Sequence, residues 1–366
     1  MACPAGPDDD DGLVADELLT LVGPDLHGDV ARCAAAAGYR IVTAHPADCR
    51  REWLRAAAVV ADADAVRVLA GQSPPRRTGV VMVTDDDPPS DIWRTAMDFG
   101  AEQVVALPAD ESALVGLLGG FRSPRGHPGG AIAVVGGHGG AGATTLAAAV
   151  AITAGDVASR VLLLDVDEHG AGIDLTLGIE GRAGLRWQDL TLEGGAVRAE
   201  SLHSALPHVD DRLSVLAPRR DGRRPISADA VVAALDAGRA HGDTVVIDVP
   251  RAAGALADIV LDTVDLAVLL TTATVHGVAS TRAAAERIHR RGVVAGLAVR
   301  GPAPSGLRAV DIAAAVDLPL ITTYRSDPGL PARLEAGRLR VTPRSPLGRA
   351  AQAIRRRAAA DDRLAA

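Results

Sequence analysis

The chain has 366 residues, enough for two or three domains, and its 48% hydrophobic side chains can fill their cores although aromatics make up only 2%. A net charge of −8 excludes a protein coated for nucleic acid over its whole surface, and all 38 basic residues are arginine because the chain contains no lysine. Three cysteines, Cys3, Cys33 and Cys49, are too few for a disulfide framework and show no metal-ligand spacing, which points to a reducing cytoplasm.

The first segment, 1–15, is an acidic tail expected to be disordered, with no apolar stretch of signal-peptide type. Short apolar runs then alternate with helix-like segments: "LLTLVG" (18–23), "RIVTAH" (40–45), "AAVVAD" (57–62), "GVVMVT" (79–84) and "QVVAL" (103–107). Strands alternating with helices imply parallel βαβ units. Five of them over 16–122 have the size and rhythm of a flavodoxin-like, CheY-like receiver. "FRSPRGHPGG" ends this domain, and 123–130 reads as a linker.

A second α/β series begins at Ala131, with strand candidates at 131–135, 160–165, 212–217, 243–248, 265–270 and 296–300 and helices at 144–154, 227–241, 278–291 and 308–316. Continuous apolar strands separated by helices predict a mostly parallel sheet covered by helices on both faces. This domain is taken as 131–350, and 351–366 as an arginine- and alanine-rich C-terminal tail. From Arg333 to Arg357 eight arginines stand against Glu335, a cluster that reads either as a solvated helix or as a contact for anionic membrane or DNA. No stretch is apolar enough for a membrane span.

Ligands of open parallel sheets sit beyond the carboxyl ends of the strands, and three such ends carry chemistry here. "GGHGGAGATT", Gly136 to Thr145, is a glycine-dense turn between a strand and a helix, where backbone N–H groups can converge on phosphate oxygens. Gly137, Gly142 and Thr144 match the G-x-x-x-x-G-K-[ST] pattern, but Ala143 fills the lysine position. Gly139, Gly140 and Thr145 complete the cradle. "LLLDVDEHG" supplies Asp165 and Asp167, and "TVVIDVPR" supplies Asp248, placed to hold a magnesium ion together with Thr144. Taken singly, a strand-end aspartate is more often a turn former than a ligand; loop, double-aspartate strand and apolar strand ending in Asp, in that order, argue for a nucleotide-binding fold.

"GGHGGAGATTLA", "LLLDVDEHGAGIDLTLGIEGRAGLRWQDL", "VVIDVPR" and "LITTYRSDPGLPARLEAGR" together resemble the actinobacterial septum-site-determining, or CpaE-like, proteins of the MinD/ParA branch of P-loop ATPases. The resemblance covers about 131–350, and that family also carries an N-terminal receiver-like domain. It implies ATP and magnesium as ligands, a homodimer, and work in the cytoplasm or at the membrane periphery, at a pole or septum, with division or pilus and secretion proteins as partners. Asp167 would then be catalytic, orienting the attacking water, with Asp165 behind it. The branch carries two lysines in its loop. Here they fall on His138, read as a solvent-exposed substitute, and on Ala143. Near "VRGPAPSG" (299–306) the family contacts the base through an asparagine that this chain lacks, so no base-contacting residue carries over.

The receiver comparison also breaks at its chemistry. Asp62 and Thr84 match the phosphoacceptor and hydroxyl positions, but Gly23-Pro24-Asp25 is an incomplete acid pair and Leu107-Pro108 replaces the lysine. A pseudo-receiver used for docking is expected. Three functions fit these residues: a positioning or assembly factor on a degenerate ATPase domain with little or no hydrolysis, an active ATPase using arginine for lysine, and a ParA-like nonspecific DNA binder.

Overall fold

The computed structural model describes residues 17–121 and 130–365, apart from 73, 76, 78, 86–89, 156–159, 191–198, 222–224 and 338. The acidic segment expected to be disordered and residues 123–129 of the expected linker lie outside the described residues.

The first domain alternates strictly: β1 (Glu17–Leu21), α1 (Pro24–Ala36), β2 (Arg40–Thr43), α2 (Arg50–Arg55), β3 (Ala58–Ala61), α3 (Ala63–Ala70), β4 (Val80–Thr84), α4 (Ser90–Phe99), β5 (Gln103–Ala106) and α5 (Glu111–Phe121). Its parallel strands lie in the order β2-β1-β3-β4-β5, the flavodoxin-like arrangement expected from the sequence. Local chemistry starts the helices. Pro24 opens α1, where its missing N–H costs nothing, and the Asp62 carboxylate caps α3 by accepting from the N–H of Ala65. Alternate residues of the strands serve two cores: Leu18, Ala58 and Val60 pack with α1 and α5, whereas Leu19, Leu21, Val59 and Ala61 face α2, α3 and α4.

The second domain comprises β6 (Ala131–Gly136), α6 (Ala143–Gly155), β7 (Val161–Asp165), α7 (Ile173–Leu177), α8 (Ala199–Ala205), β8 (Leu213–Leu216), α9 (Ala228–His241), β9 (Thr244–Val249), α10 (Ala255–Thr263), β10 (Leu266–Thr272), α11 (Val275–Arg290), β11 (Ala295–Gly301), α12 (Ala309–Val316), β12 (Leu320–Arg325), α13 (Leu330–Glu335) and α14 (Pro346–Ala365). Seven parallel strands run β12-β11-β10-β6-β9-β7-β8, one more than the six read from the sequence. Ala131, Ala133 and Val135 point to a core closed by α8 to α12, and Ile132 and Val134 to one closed by α6, α7 and α14, so both faces are covered. The helix α14 runs through the boundary expected at 350. Its Ala350, Ala351, Ile354 and Ala358 are buried, Ile354 joins the core beside α6, and Arg355 donates to the carbonyl of Thr153 (2.7 Å). Residues 351–358 therefore belong to the packed domain.

The two domains share a core. Val232 of α9 and Ile259 of α10 join the cluster formed by Trp53, Leu54 and Leu69 of the receiver-like domain. Arginines of α2 surround this contact: Arg50 pairs with Asp262 (3.1 Å), Arg55 with Asp265 (3.2 Å), and Arg51 donates to the carbonyl of Gly292.

Candidate functional site

The loop after β6 turns tightly because its glycines permit it. Gly140 and Gly142 have φ of +72° and +97°, a region that side chains rarely tolerate. Gly137 is required for a different reason: a Cβ there would lie 2.2 Å from Thr281 Oγ1 on α11. The N–H of Gly137 donates to Leu270 O (2.8 Å) and so continues the pairing with β10 into the loop. Gly139 and Gly140 are exposed at the mouth, and Ala143 opens α6 with Thr144 and Thr145 in its first turn. The glycine-rich loop thus leads into the positive end of a 13-residue helix.

Thr144, Asp165, Asp167 and Asp248 gather beside it. Asp165 and Asp248 are register partners at the ends of β7 and β9 and are both nearly fully buried. The Thr144 side chain lies beside the Asp248 carboxylate and draws its pKa down, so the two expected magnesium ligands are neighbours. Asp165 accepts from the N–H groups of Asp167 (3.0 Å) and Ile173 (2.8 Å), which fixes the turn carrying the half-buried Asp167. Burial pushes the Asp165 carboxyl up to about 7, with the charges of Asp167 and Asp174 adding to the effect. Asp248 is raised well above the usual carboxylate range by burial and by the Asp165 charge, against the pull of the Thr144 hydroxyl. Among the described residues no three His, Cys, Asp or Glu side chains are grouped to hold a metal alone. A magnesium ion at Thr144 and Asp248 would complete its shell with ligand oxygens and water.

His138 is not the solvent-exposed substitute expected. Its Nε2 accepts from the N–H of Thr272 (3.2 Å) and lies 2.9 Å from the Thr272 hydroxyl, so Nδ1 carries the proton and donates to Gly139 O (2.8 Å). An imidazole folded onto its own chain in this way is not free to reach a phosphate. The sequence reading also missed Arg300, which reaches from β11 to donate to Gly140 O (3.0 Å). Arg300 lies in "VRGPAPSG" (299–306), the segment that stands near the family's base contact.

Behind β7, Arg220 forks onto Asp174 (2.5 and 3.2 Å), tying the segment after β8 to α7. Asp243, His203, Ser214 and His208 form a second polar chain with contacts of 2.7, 2.7 and 3.0 Å. Its Ser214 is only 1% exposed, so this chain fastens α8 to β8 and β9 and presents no nucleophile to a substrate. In the receiver-like domain both Asp62 oxygens are engaged, one by the α3 cap and one by the N–H of Gly23 (2.7 Å).

Residues 20–129 match the family described as Rv3660c-like, CheY-like N-terminal domain. Over 340 residues the chain is 39% identical to the uncharacterized protein Rv3660c of Mycobacterium tuberculosis H37Rv, covering 91% of this chain and 95% of that relative. Three solved structures share the fold of the second domain. MinD cell division protein of Aquifex aeolicus aligns with a TM-score of 0.52 at 20% identity, over 63% of this chain and 97% of that one. A ParA family ATPase of Chlorobium tepidum gives 0.52 at 15% identity, over 61% and 96%. The septum site-determining protein MinD of Pyrococcus horikoshii, complexed with Mg-ADP, gives 0.50 at 20% identity, over 64% and 97%. The chain thus joins a CheY-like domain to a MinD/ParA-like domain. Among the described residues no helix is long and apolar enough to cross a membrane.

Proposed function

Since the chain belongs to the family of Mycobacterium tuberculosis Rv3660c, we propose that it is a division- or partition-type positioning factor of the septum-site-determining, CpaE-like kind. On this reading it recruits division or pilus and secretion components, and its MinD/ParA-like domain binds nucleotide weakly and hydrolyses it little or not at all. The observation that carries the reading is Ala143: a methyl group stands where a P-loop places its phosphate-binding lysine, while the glycines, Thr144 and Asp248 remain. Magnesium and ATP, when bound, would bring together the charge of the phosphates and a metal-held water; Thr144 and Asp248 would hold the ion, and Asp167 would face that water. Losing the charged donor at 143 costs roughly 1.5–3 kcal/mol in binding and more in a transition state where charge develops. Backbone cradling survives that loss, and fast hydrolysis does not.

Docking falls to the receiver-like domain. Its α4 shows Trp93 and Met97 to solvent, at 44% and 75% exposure, spaced one helical turn apart. A homodimer through the loop face, and weak attraction of the exposed arginines of α14 to anionic membrane or DNA, belong to the same proposal. With Ile354 buried, α14 has no large apolar side chain to offer lipid among the residues from Arg349 to Ala360. A fluorescent fusion followed in dividing cells tests the positioning role. Foci at septum or pole that disperse in a Trp93→Ala/Met97→Ala variant support it, and a uniform cytoplasmic signal from the intact chain counts against it.

A further inference from the structure

We propose that Arg300 is the cation of this phosphate-binding loop, reaching from β11 to the phosphoryl oxygens of a bound nucleotide in place of the absent lysine. The inference rests on the reading of the loop as a phosphate site. Arg300 is the last residue but one of β11, in register with Thr272 of β10 and Tyr324 of β12. Its side chain crosses β10 to the loop, where one terminal nitrogen donates to Gly140 O (3.0 Å). The other lies where a side chain at position 142 would be, because a Cβ built on Gly142 would come within 2.8 Å of it. Gly142 therefore serves twice, supplying the left-handed turn and leaving room for the guanidinium.

What singles Arg300 out is its unused donors. Its Nε is buried without a hydrogen-bond partner, and no carboxylate pairs with it among the described residues. Other half-buried arginines of the chain are neutralised: Arg291 by Asp258 and Asp262, and Arg55 and Arg239 by Asp265. The Arg300 guanidinium instead lies against the N-terminal end of α6, the positive end of a helix dipole. Two positive features side by side, each with donors to spare, are unfavourable alone and are satisfied together by an oxyanion. A planar guanidinium fork matches phosphate oxygens. The chemical class of the ligand is therefore a phosphate ester or anhydride, and a nucleoside di- or triphosphate is the member that the adjoining Thr144–Asp248 pair also suits.

Calorimetric titration of the full-length chain tests this with Mg-ATP, Mg-ADP and pyrophosphate. Arg300→Ala, Arg300→Gln and Arg300→Lys are compared in the wild-type and Ala143→Lys backgrounds, and thermal melts report folding. The expected result in the Ala143→Lys background is a loss of about tenfold or more in affinity for Arg300→Ala and Arg300→Gln, with Arg300→Lys retaining part of it. That loss should be of equal size for ATP and pyrophosphate. Unchanged affinity in folded Arg300 variants would overturn the assignment and leave Arg300 as a brace for Gly140. A loss confined to ATP and ADP, with pyrophosphate unaffected, would also overturn it by placing the contact on the base or sugar. The two readings separate cleanly. If Ala143→Lys raises affinity but Arg300 is neutral, only this inference falls; if Arg300 matters but Ala143→Lys has no effect, only the view of position 143 falls. Absence of binding by every variant defeats both.

Discussion

Asp165 and Asp248 stand side by side at the carboxyl ends of neighbouring strands, in register and at 1% and 4% exposure. In the unfolded chain both titrate near the ordinary aspartate value of about 4, whereas burial raises both in the folded protein, Asp165 to about 7. The folded state thus holds protons that the unfolded chain has released. This contribution to stability is complete below about pH 4 and is lost as pH rises through about 7. Asp165→Asn keeps an acceptor for the turn but cannot ionise. Thermal melts of the nucleotide-free protein should therefore show the variant gaining several degrees on the wild type between about pH 5 and pH 8. A difference that stays constant across that range would show that Asp165 is ionised throughout.

Asp265 links the two domains to the strand that carries the loop. One of its oxygens accepts from Arg55 (3.2 Å) and Arg239 (2.9 Å), and the other from the N–H of Ala131 (2.8 Å), the first residue of β6. Asp265→Ala takes the carboxylate from two arginines, which keep only the carbonyls of Val264 and Thr263, and leaves the Ala131 N–H unpaired; it should cost about 3 kcal/mol in urea denaturation. Arg50→Ala should cost about 1 kcal/mol or less, because Arg50 is 44% exposed and Asp262 keeps Arg291. Equal costs for the two variants would contradict this account of the interface.

Asp62 occupies the receiver phosphoacceptor position with both oxygens already bonded, to the N–H groups of Gly23 and Ala65. Phosphorylation would break the cap of α3 and the tie to α1, and Leu107-Pro108 offers no lysine to hold the product. Treatment with acetyl phosphate and magnesium should leave Asp62 unmodified by mass spectrometry. A stable adduct on Asp62 would make the domain a working receiver.

The elements legible in the sequence are those whose strands are continuous apolar runs. Most strands of both domains are of this kind, and strand-to-helix alternation then fixes a parallel sheet. The strand β12 was missed because it lies at the sheet edge, with "LITTYR" half-exposed and no apolar run to mark it. The helix α14 looked like a tail because its buried face is built of small alanines around Ile354, while arginines dominate its composition. In the site, Gly137, Gly142, Thr144 and Asp248 could be placed from spacing alone, since each has a backbone or strand-end role. The positions of His138 and Arg300 depend on strands distant in sequence: Thr272 meets His138 only because β10 adjoins β6, and Arg300 reaches the loop from one strand further out.

On the proposed function the loop keeps its glycines and Thr144 but lacks the lysine charge that turnover needs. Titration with Mg-ATP in the calorimeter, run beside a phosphate-release assay, tests it on the wild type and on Ala143→Lys. Position 143 begins α6, where lysine fits without backbone strain. The account predicts weak or undetectable binding and no phosphate release above background for the wild type, and at least about tenfold tighter binding for Ala143→Lys. Hydrolysis should remain low in the variant, because the His138 ring is tied to Thr272 and Gly139 and does not replace the second lysine. Robust phosphate release by the wild type, abolished by Asp167→Ala or Asp248→Ala, would contradict the account and establish an active ATPase.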